Sequence, residues 1–223
     1  MFAPHPDDET LGCGGTIARR ISEGYEVLIV VLTDGRNALL TTFGIESDPK
    51  PSELKGIREA EVKRAARILG ATEDSVLFLS FEDGTLSQNR SQAKKKVSNI
   101  LRSKTPVEVY FTYEKDLNID HRATSHIVRD SIEELGIETR DYRYSIEKKQ
   151  PRVVPSLGSF FNKSRGSVIR VDISRFLPLK KKALREFRSQ IEIISPLQRR
   201  PVVDGIDRFL KEEELFFVRL HGH

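Results

Sequence analysis

Short apolar runs alternate along this chain with longer segments in which apolar residues recur every three or four positions. The runs at 25–33 and 107–112 are nearly continuous and rich in Val, Ile, Tyr or Phe, which predicts strands buried on both faces. Weaker runs predict further strands at 76–79, 142–146, 168–173 and 215–220, and helical spacing predicts helices over 54–70, 88–104, 120–136 and 179–192. This alternation predicts an α/β fold with a mostly parallel sheet and right-handed crossovers.

The start of the chain leaves few residues for the first strand of this pattern. A first strand would end at Ala3 or Pro4, and a first helix would begin near Glu9. Since a strand usually takes about 5–6 residues and only four residues precede His5, we expect an upstream start or a lost N-terminal segment. Residues 148–167 are the least regular stretch and are predicted to form a mobile flap.

Composition limits the domain count and the cellular location expected of this chain. The 223 residues are predicted to form one domain, 1–223, large enough to bury a sizeable core. With 38% hydrophobic residues and a mean hydropathy of −0.41, the chain has no apolar run near the roughly 20 residues that span a bilayer, so no stable membrane insertion is expected. No signal peptide is recognisable, and the single Cys13 cannot form an internal disulfide, which predicts a cytoplasmic protein.

Charge does not indicate a nucleic-acid partner. The net charge is +4, but the basic residues are spread along the chain rather than massed. The lysine runs 94–96 and 180–182 lie in helical patterns and are predicted to be solvated faces. Nucleic-acid binding would need basic and aromatic side chains on one surface, so we predict no such partner, while a homo-oligomer stays compatible with the sequence.

Candidate chemistry is concentrated in the turn His5-Pro6-Asp7-Asp8-Glu9. His5 and Asp8 can converge on a metal from one side, and Asp7 is left beside them with a free carboxylate. His121 follows the strand 107–112 and a loop, so it reaches the same carboxyl edge of a parallel sheet. His5, Asp8 and His121 are therefore predicted to form a hydrolytic zinc site with open positions for water.

The other possible zinc ligands are weaker. His126 lies five residues after His121 on the same helix and points away from it, so it is predicted to be packed or on the surface. His221 and His223 end the chain, and Cys13 is predicted to be buried inside the first helix.

Several motifs together resemble the PIG-L/LmbE family of zinc-dependent N-acetylglucosaminyl deacetylases. They are APHPDDETLGCGG at 3–15, TDGR at 33–36, IREAEVKRAARILG at 57–70, FEDGTL at 81–86, LNIDHR at 117–122 and LKKKALREFRSQ at 179–190. The resemblance implies a Rossmann-like three-layer sandwich and one Zn²⁺ per chain, bound by His5, Asp8 and His121. It also implies that Asp7 is the general base, that metal-bound water is the nucleophile, and that the substrate is a small amino-sugar conjugate that loses its N-acetyl group.

The chain departs from the family pattern at Asn118, where many members have a histidine. An asparagine amide can donate a hydrogen bond to an oxyanion but cannot carry a proton, so Asn118 is a candidate for an oxyanion or substrate contact. Asp120 is a candidate to orient a metal ligand, with helix N-capping as the alternative. Arg36 is a candidate substrate contact, although Asp34-Gly35 beside it can equally be a simple turn.

Three other interpretations stay open. A divalent-metal phosphoesterase would use the same acidic residue types, but two metals need more carboxylates than the obvious loops offer. A non-catalytic glycan-binding relative is suggested by Asn118, although the metal set and base are intact. A dinucleotide site is suggested by Gly12, Gly14 and Gly15, but their spacing is not GxGxxG.

Overall fold

A computed structural model describes residues 1–146 and 167–218 of the chain. Its strands are β1 Phe2–Ala3, β2 Ile29–Thr33, β3 Val76–Phe81, β4 Glu108–Thr112, β5 Arg140–Tyr144, β6 Ser167–Asp172 and β7 Glu213–Val218. Its helices are α1 Asp8–Ser22, α2 Ala38–Phe43, α3 Pro51–Ile68, α4 Arg90–Lys104, α5 Ile119–Leu135, α6 Leu177–Leu184 and α7 Arg188–Ile191. The α/β alternation predicted from the sequence is confirmed.

The strands form one parallel sheet and one mixed sheet. The first has the order β1-β2-β3 and is parallel throughout. The second has the order β4-β5-β7-β6, in which β4 and β5 are parallel and β7 is antiparallel to both of its neighbours. β1 also lies beside β4, and the Tyr144 hydroxyl donates to the Phe2 carbonyl at 3.1 Å. The expectation of a mostly parallel sheet therefore holds for β1–β5 but not for the last two strands, because an apolar run indicates burial and not direction.

Helices cover both faces of β2. Ile29 and Val31 pack into the cluster that contains side chains of α1, α3 and α6, while Val30 and Leu32 pack into the cluster that contains α4 and α5. This alternation explains why successive residues from Ile29 to Leu32 are all apolar. Within the described part of the chain, no helix is long and apolar enough to cross a membrane.

Some predicted boundaries were wrong. The run that begins at Tyr25 does not enter the sheet until Ile29, and Tyr25 itself is exposed. The predicted helix 179–192 is two helices, because Phe187 leaves helical geometry (φ −81°, ψ 52°) with its ring buried. Of the predicted flap 148–167, only Ser167 is among the described residues, as the start of β6.

Glycines let α1 approach the sheet closely. A Cβ atom on Gly12 would lie 2.3 Å from the Tyr144 ring, and one on Gly15 would lie 2.3 Å from Ile173 Cδ1. Cys13, between them, is buried as predicted. These glycines therefore serve packing.

Lys180 corrects the prediction of a fully solvated lysine run. It is 1% exposed, and its Nζ lies 2.7 Å from Glu214 Oε1, whereas Lys181 and Lys182 are exposed. Glu214 also accepts the backbone N–H groups of α1 residues 15 and 16, at 2.9 and 2.8 Å. The buried ammonium thus has a buried counter-charge that sequence spacing could not reveal.

Candidate metal centre

The turn between β1 and α1 places two carboxylates at the start of a helix. The Asp7 carbonyl accepts the N–H groups of Thr10 and Leu11, at 3.0 and 2.8 Å, and so begins α1. The Glu9 carboxylate, in the first turn of the helix, accepts the Asp7 N–H at 3.1 Å. Asp7 and Asp8 therefore lie at the positive end of α1, which favours an ionised carboxylate, but at Asp7 burial outweighs this effect and raises the pKa.

His5, Asp8 and His121 converge as the sequence predicted. Asp8 Oδ2 lies 3.1 Å from His5 Nδ1 and 3.2 Å from His121 Nε2. One ligand atom from each residue lies within 4.8 Å of the other two. Two imidazole nitrogens and one carboxylate oxygen are donors that zinc accepts in catalytic sites. Metal ligation by these residues is still a prediction.

Further carboxylates contact the outer nitrogen of each imidazole. Asp116 Oδ2 lies 3.0 Å from His121 Nδ1, while Asp83 Oδ1 and Asp120 Oδ2 lie 3.2 and 3.5 Å from His5 Nε2. These contacts direct His5 Nδ1 and His121 Nε2 towards Asp8, an arrangement typical of metal-ligating histidines. Sequence reasoning missed Asp83 and Asp116.

Asp120 joins the start of α5 to the loop after β3. Its carboxylate accepts the backbone N–H groups of Gly84 at 2.7 Å and Leu86 at 3.1 Å. The N-cap of α5 is instead Asn118, whose Oδ1 accepts the N–H groups of Asp120 and His121 at 2.8 and 3.4 Å. Asp120 thus contacts His5 without capping the helix, and the predicted oxyanion contact of Asn118 stays a prediction.

Arg36 is held at the carboxyl end of β2 by Asp34. Its Nε donates to Asp34 Oδ2 at 2.8 Å, and Asp34 is fully buried beneath it. Asp34 Oδ1 also accepts the Asp83 N–H at 3.4 Å, which ties this turn to the loop carrying Asp83. The predicted substrate contact of Arg36 stays a prediction.

Asp7 lies beside a buried arginine that sequence reasoning did not single out. The Asp7 carboxylate is 3.3 Å from Arg58 Nη2, and both residues are buried. A sequence signal existed, because Leu54, Arg58 and Val62 are four residues apart and share one face of α3. An arginine on that apolar face needs a buried acceptor.

The ionisation of the centre follows from burial and close opposite charges. Burial raises the pKa of Asp7 to about 8. Burial also opposes ionisation of Asp8, but His121 and His5 hold the pKa of that carboxyl well below its usual range. For His121, burial lowers the pKa, yet the Asp8 and Asp116 carboxylates raise it to about 9. An ionised carboxylate between protonated imidazoles is a place where a divalent cation can replace protons.

His126 lies outside this cluster. It is half-buried on α5, where its Nδ1 lies 3.1 Å from Arg129 Nη2, as expected for a packed or surface histidine. His221 and His223 lie outside the described residues.

Comparison with known proteins identifies related chains. The family described as PIG-L, GlcNAc-PI de-N-acetylase, matches residues 1–132, which is more than half of the 223 residues. The diacetylchitobiose deacetylase of Thermococcus kodakarensis is 28% identical over 225 residues, covering 99% of this chain and 77% of that protein. The 1D-myo-inositol 2-acetamido-2-deoxy-alpha-D-glucopyranoside deacetylase of Tsukamurella paurometabola is 40% identical over 88 residues, covering 36% of this chain and 28% of that protein.

A solved structure supports the same fold. The N,N'-diacetylchitobiose deacetylase of Pyrococcus horikoshii superposes with a TM-score of 0.72, covering 97% of this chain and 81% of that chain. Their sequences are 24% identical, so this likeness shows the fold alone.

Proposed function

Because the chain belongs to the PIG-L family, we propose that it is a zinc-dependent hydrolase that removes the N-acetyl group from an N-acetylglucosamine-type sugar or conjugate. The observation that carries the proposal is the convergence of His5, Asp8 and His121 beside the carboxylate of Asp7. The relatives named above are deacetylases of amino sugars, which supports the same substrate class. We also infer that the two sheets form the middle of a Rossmann-like three-layer sandwich, since helices cover both faces of β2.

The donor set fits one zinc ion per chain. Both imidazoles are oriented by outer carboxylates, and Asp8 supplies the negatively charged oxygen. Zinc held there would lower the pKa of a bound water from about 9 towards about 7 and would polarise the acetamide carbonyl.

The remaining roles fall to side chains around this set. Asp7 takes the proton of the attacking water and returns it to the departing amine, a transfer that typically contributes about 10²–10⁴-fold. The Asn118 amide donates to the oxygen that gains negative charge. Asp120 orients His5, and Arg36 contacts the sugar or its substituent from the end of β2.

A phosphoesterase is the second candidate, because His5, Asp83 and Asp120 form another grouping of possible ligands. That grouping shares His5 with the first, so two ions bound at the same time would both depend on the same imidazole. Metal analysis separates the candidates: the deacetylase proposal expects one zinc per chain, and two ions per chain would favour the phosphoesterase.

The single Cys13 cannot form an internal disulfide, which supports a reducing, cytoplasmic location, and we include that location in the proposal. The partner expected is a small amino-sugar conjugate.

The deciding experiment measures acetate and free amine released from diacetylchitobiose and from N-acetylglucosaminyl-inositol. Asp7→Asn should keep its zinc and lose about 10²–10⁴-fold in turnover, because only the proton acceptor is removed. His121→Ala should lose zinc. His126 lies on the same helix, so His126→Ala is the matched control and should keep both its zinc and its turnover. Unchanged turnover in Asp7→Asn, or stoichiometric zinc in His121→Ala, would contradict the proposal.

A further inference from the structure

Arg58 joins three parts of the site through one buried guanidinium. The residue is 3% exposed and reaches from α3 to the turn between β1 and α1. Its Nη2 donates to the Pro6 carbonyl at 2.6 Å and lies 3.3 Å from Asp7 Oδ1, and its Nη1 donates to the Gly35 carbonyl at 2.9 Å. One side chain thus connects the turns after β1 and β2 to the carboxylate of Asp7.

Asp7 needs such support, because its backbone is strained. Its φ of 140° is a conformation that residues with a Cβ atom rarely adopt. Its carboxylate makes no capping hydrogen bond to α1, although Asp7 is the N-cap residue of that helix. The side chain is therefore directed by its ion pair with Arg58 and not by the helix.

Gly35 provides an independent observation of the same arrangement. Its φ is +62°, and a Cβ atom there would lie 2.3 Å from Arg58 Nη1 and 2.8 Å from Pro6 Cδ. The guanidinium fits against this backbone only because residue 35 has no side chain. The turn after β2 thus leaves space for the Arg58 guanidinium at the position where a side chain on residue 35 would otherwise lie.

We propose that Arg58 is the positioning residue for Asp7: its guanidinium holds the strained turn and aims the Asp7 carboxylate beside Asp8. This inference rests on the proposed function, in which Asp7 is the general base. It requires a planar fork of donors, because two carbonyls and a carboxylate must be bound at once, and a lysine ammonium cannot reproduce that geometry.

The kinetic test compares zinc-loaded Arg58→Ala, Arg58→Lys and Gly35→Ala with the parent chain. Displacing a catalytic group by about 1 Å costs about 100-fold, so each variant should lose about that factor in kcat, with KM little changed and zinc content retained. Gly35→Ala should do so although Arg58 is still present. Millimolar guanidinium should restore part of kcat in Arg58→Ala but not in Asp7→Asn. Arg67→Ala is the matched control, because Arg67 lies on the same helix with an exposed side chain paired to Glu73.

A crystal structure of zinc-loaded Arg58→Ala supplies a readout that does not depend on activity. The Asp7 turn should relax or its carboxylate should turn away, while His5, Asp8 and His121 stay in place. If Arg58→Ala does not fold, Arg58→Lys, which keeps a buried cation, carries the same comparison.

Three results would overturn the inference. An unmoved Asp7 would show that Arg58 does not position it. A raised KM with unchanged kcat would make Arg58 a substrate contact, and loss of zinc would make it a support for the metal ligands. If the parent chain releases no acetate from any acetylated amino sugar, the proposed function fails, while the crystal comparison still decides whether Arg58 positions Asp7.

Discussion

Asp116 offers the sharpest test of how this centre holds a metal, because it contacts a proposed ligand without being one. It is 2% exposed; its Oδ2 lies 3.0 Å from His121 Nδ1, and its Oδ1 accepts the Ser145 hydroxyl at 2.6 Å. The carboxylate holds the Nδ1 proton of His121 and leaves Nε2 to face Asp8. Removing it should weaken zinc binding without removing a ligand.

The size of the effect follows from the two contacts. Loss of such an outer partner typically costs about 10–100-fold in metal affinity, or about 1.4–2.8 kcal/mol. Asp116→Ala removes both contacts, so its zinc affinity should fall by about 100-fold. Asp116→Asn keeps one oxygen that can accept from Nδ1 but loses the charge and replaces the other oxygen with an NH₂ donor, so its zinc affinity should fall by about tenfold. Ser145→Ala leaves the carboxylate on His121 and should change affinity least.

The assay is competition for zinc against a chelator of known affinity, with the melting temperature of each metal-free variant as the check on folding. The expected order of affinity is parent, Ser145→Ala, Asp116→Asn and Asp116→Ala. Parental zinc affinity in a folded Asp116→Ala would refute the reasoning, because His121 would then need no carboxylate to orient it.

Two further predictions concern stability and pH. Lys180→Met leaves the Glu214 carboxylate buried without its counter-charge, so urea unfolding should show a loss of about 3–5 kcal/mol. Lys181→Met, at an exposed neighbour, should change the free energy of unfolding by no more than about 0.5 kcal/mol, and equal losses would contradict the buried ion pair. In the metal-free chain the pKa of His121 is about 9, against an ordinary 6.5, so its contribution to stability is complete below pH 6.5 and is lost as pH rises through 9. Since zinc must displace that proton, the apparent zinc affinity should rise across the same window, and a flat profile in chelator competition would contradict this ionisation.

The convergence of the three proposed ligands could be predicted from the sequence because two constraints act on their positions. His5 and Asp8 share one turn, so their proximity is local. His121 is far along the chain, but it follows a buried strand, and parallel strands end at the same edge of a sheet. That inference did not need the order of the strands in the sheet, since parallel strands place the loops that follow them at the same edge whatever their order.

The carboxylates that contact these proposed ligands could not be predicted in the same way. Asp83 and Asp116 are ordinary loop acids in the sequence, and their contacts with His5 and His121 depend on the path of each loop. Lys180 was misjudged for a similar reason, because its partner Glu214 lies on another element. Arg58 differs, since its place on the apolar face of α3 already indicated a buried charge.

The acidic residues at this edge of the sheet also bear on the choice between one metal and two. Both oxygens of Asp120 accept backbone N–H groups of the loop after β3, and Asp34 binds Arg36 and the Asp83 N–H. These carboxylates hold the loops that carry the site, so a metal bound to them would compete with those hydrogen bonds for the oxygen lone pairs. The number of acidic residues at this edge therefore exceeds the number expected to bind a metal. Asp8 Oδ2 also accepts a backbone N–H, that of His5 at 3.0 Å, but unlike Asp120 and Asp34 it lies beside a ring nitrogen of both imidazoles, which favours a single ion at that point.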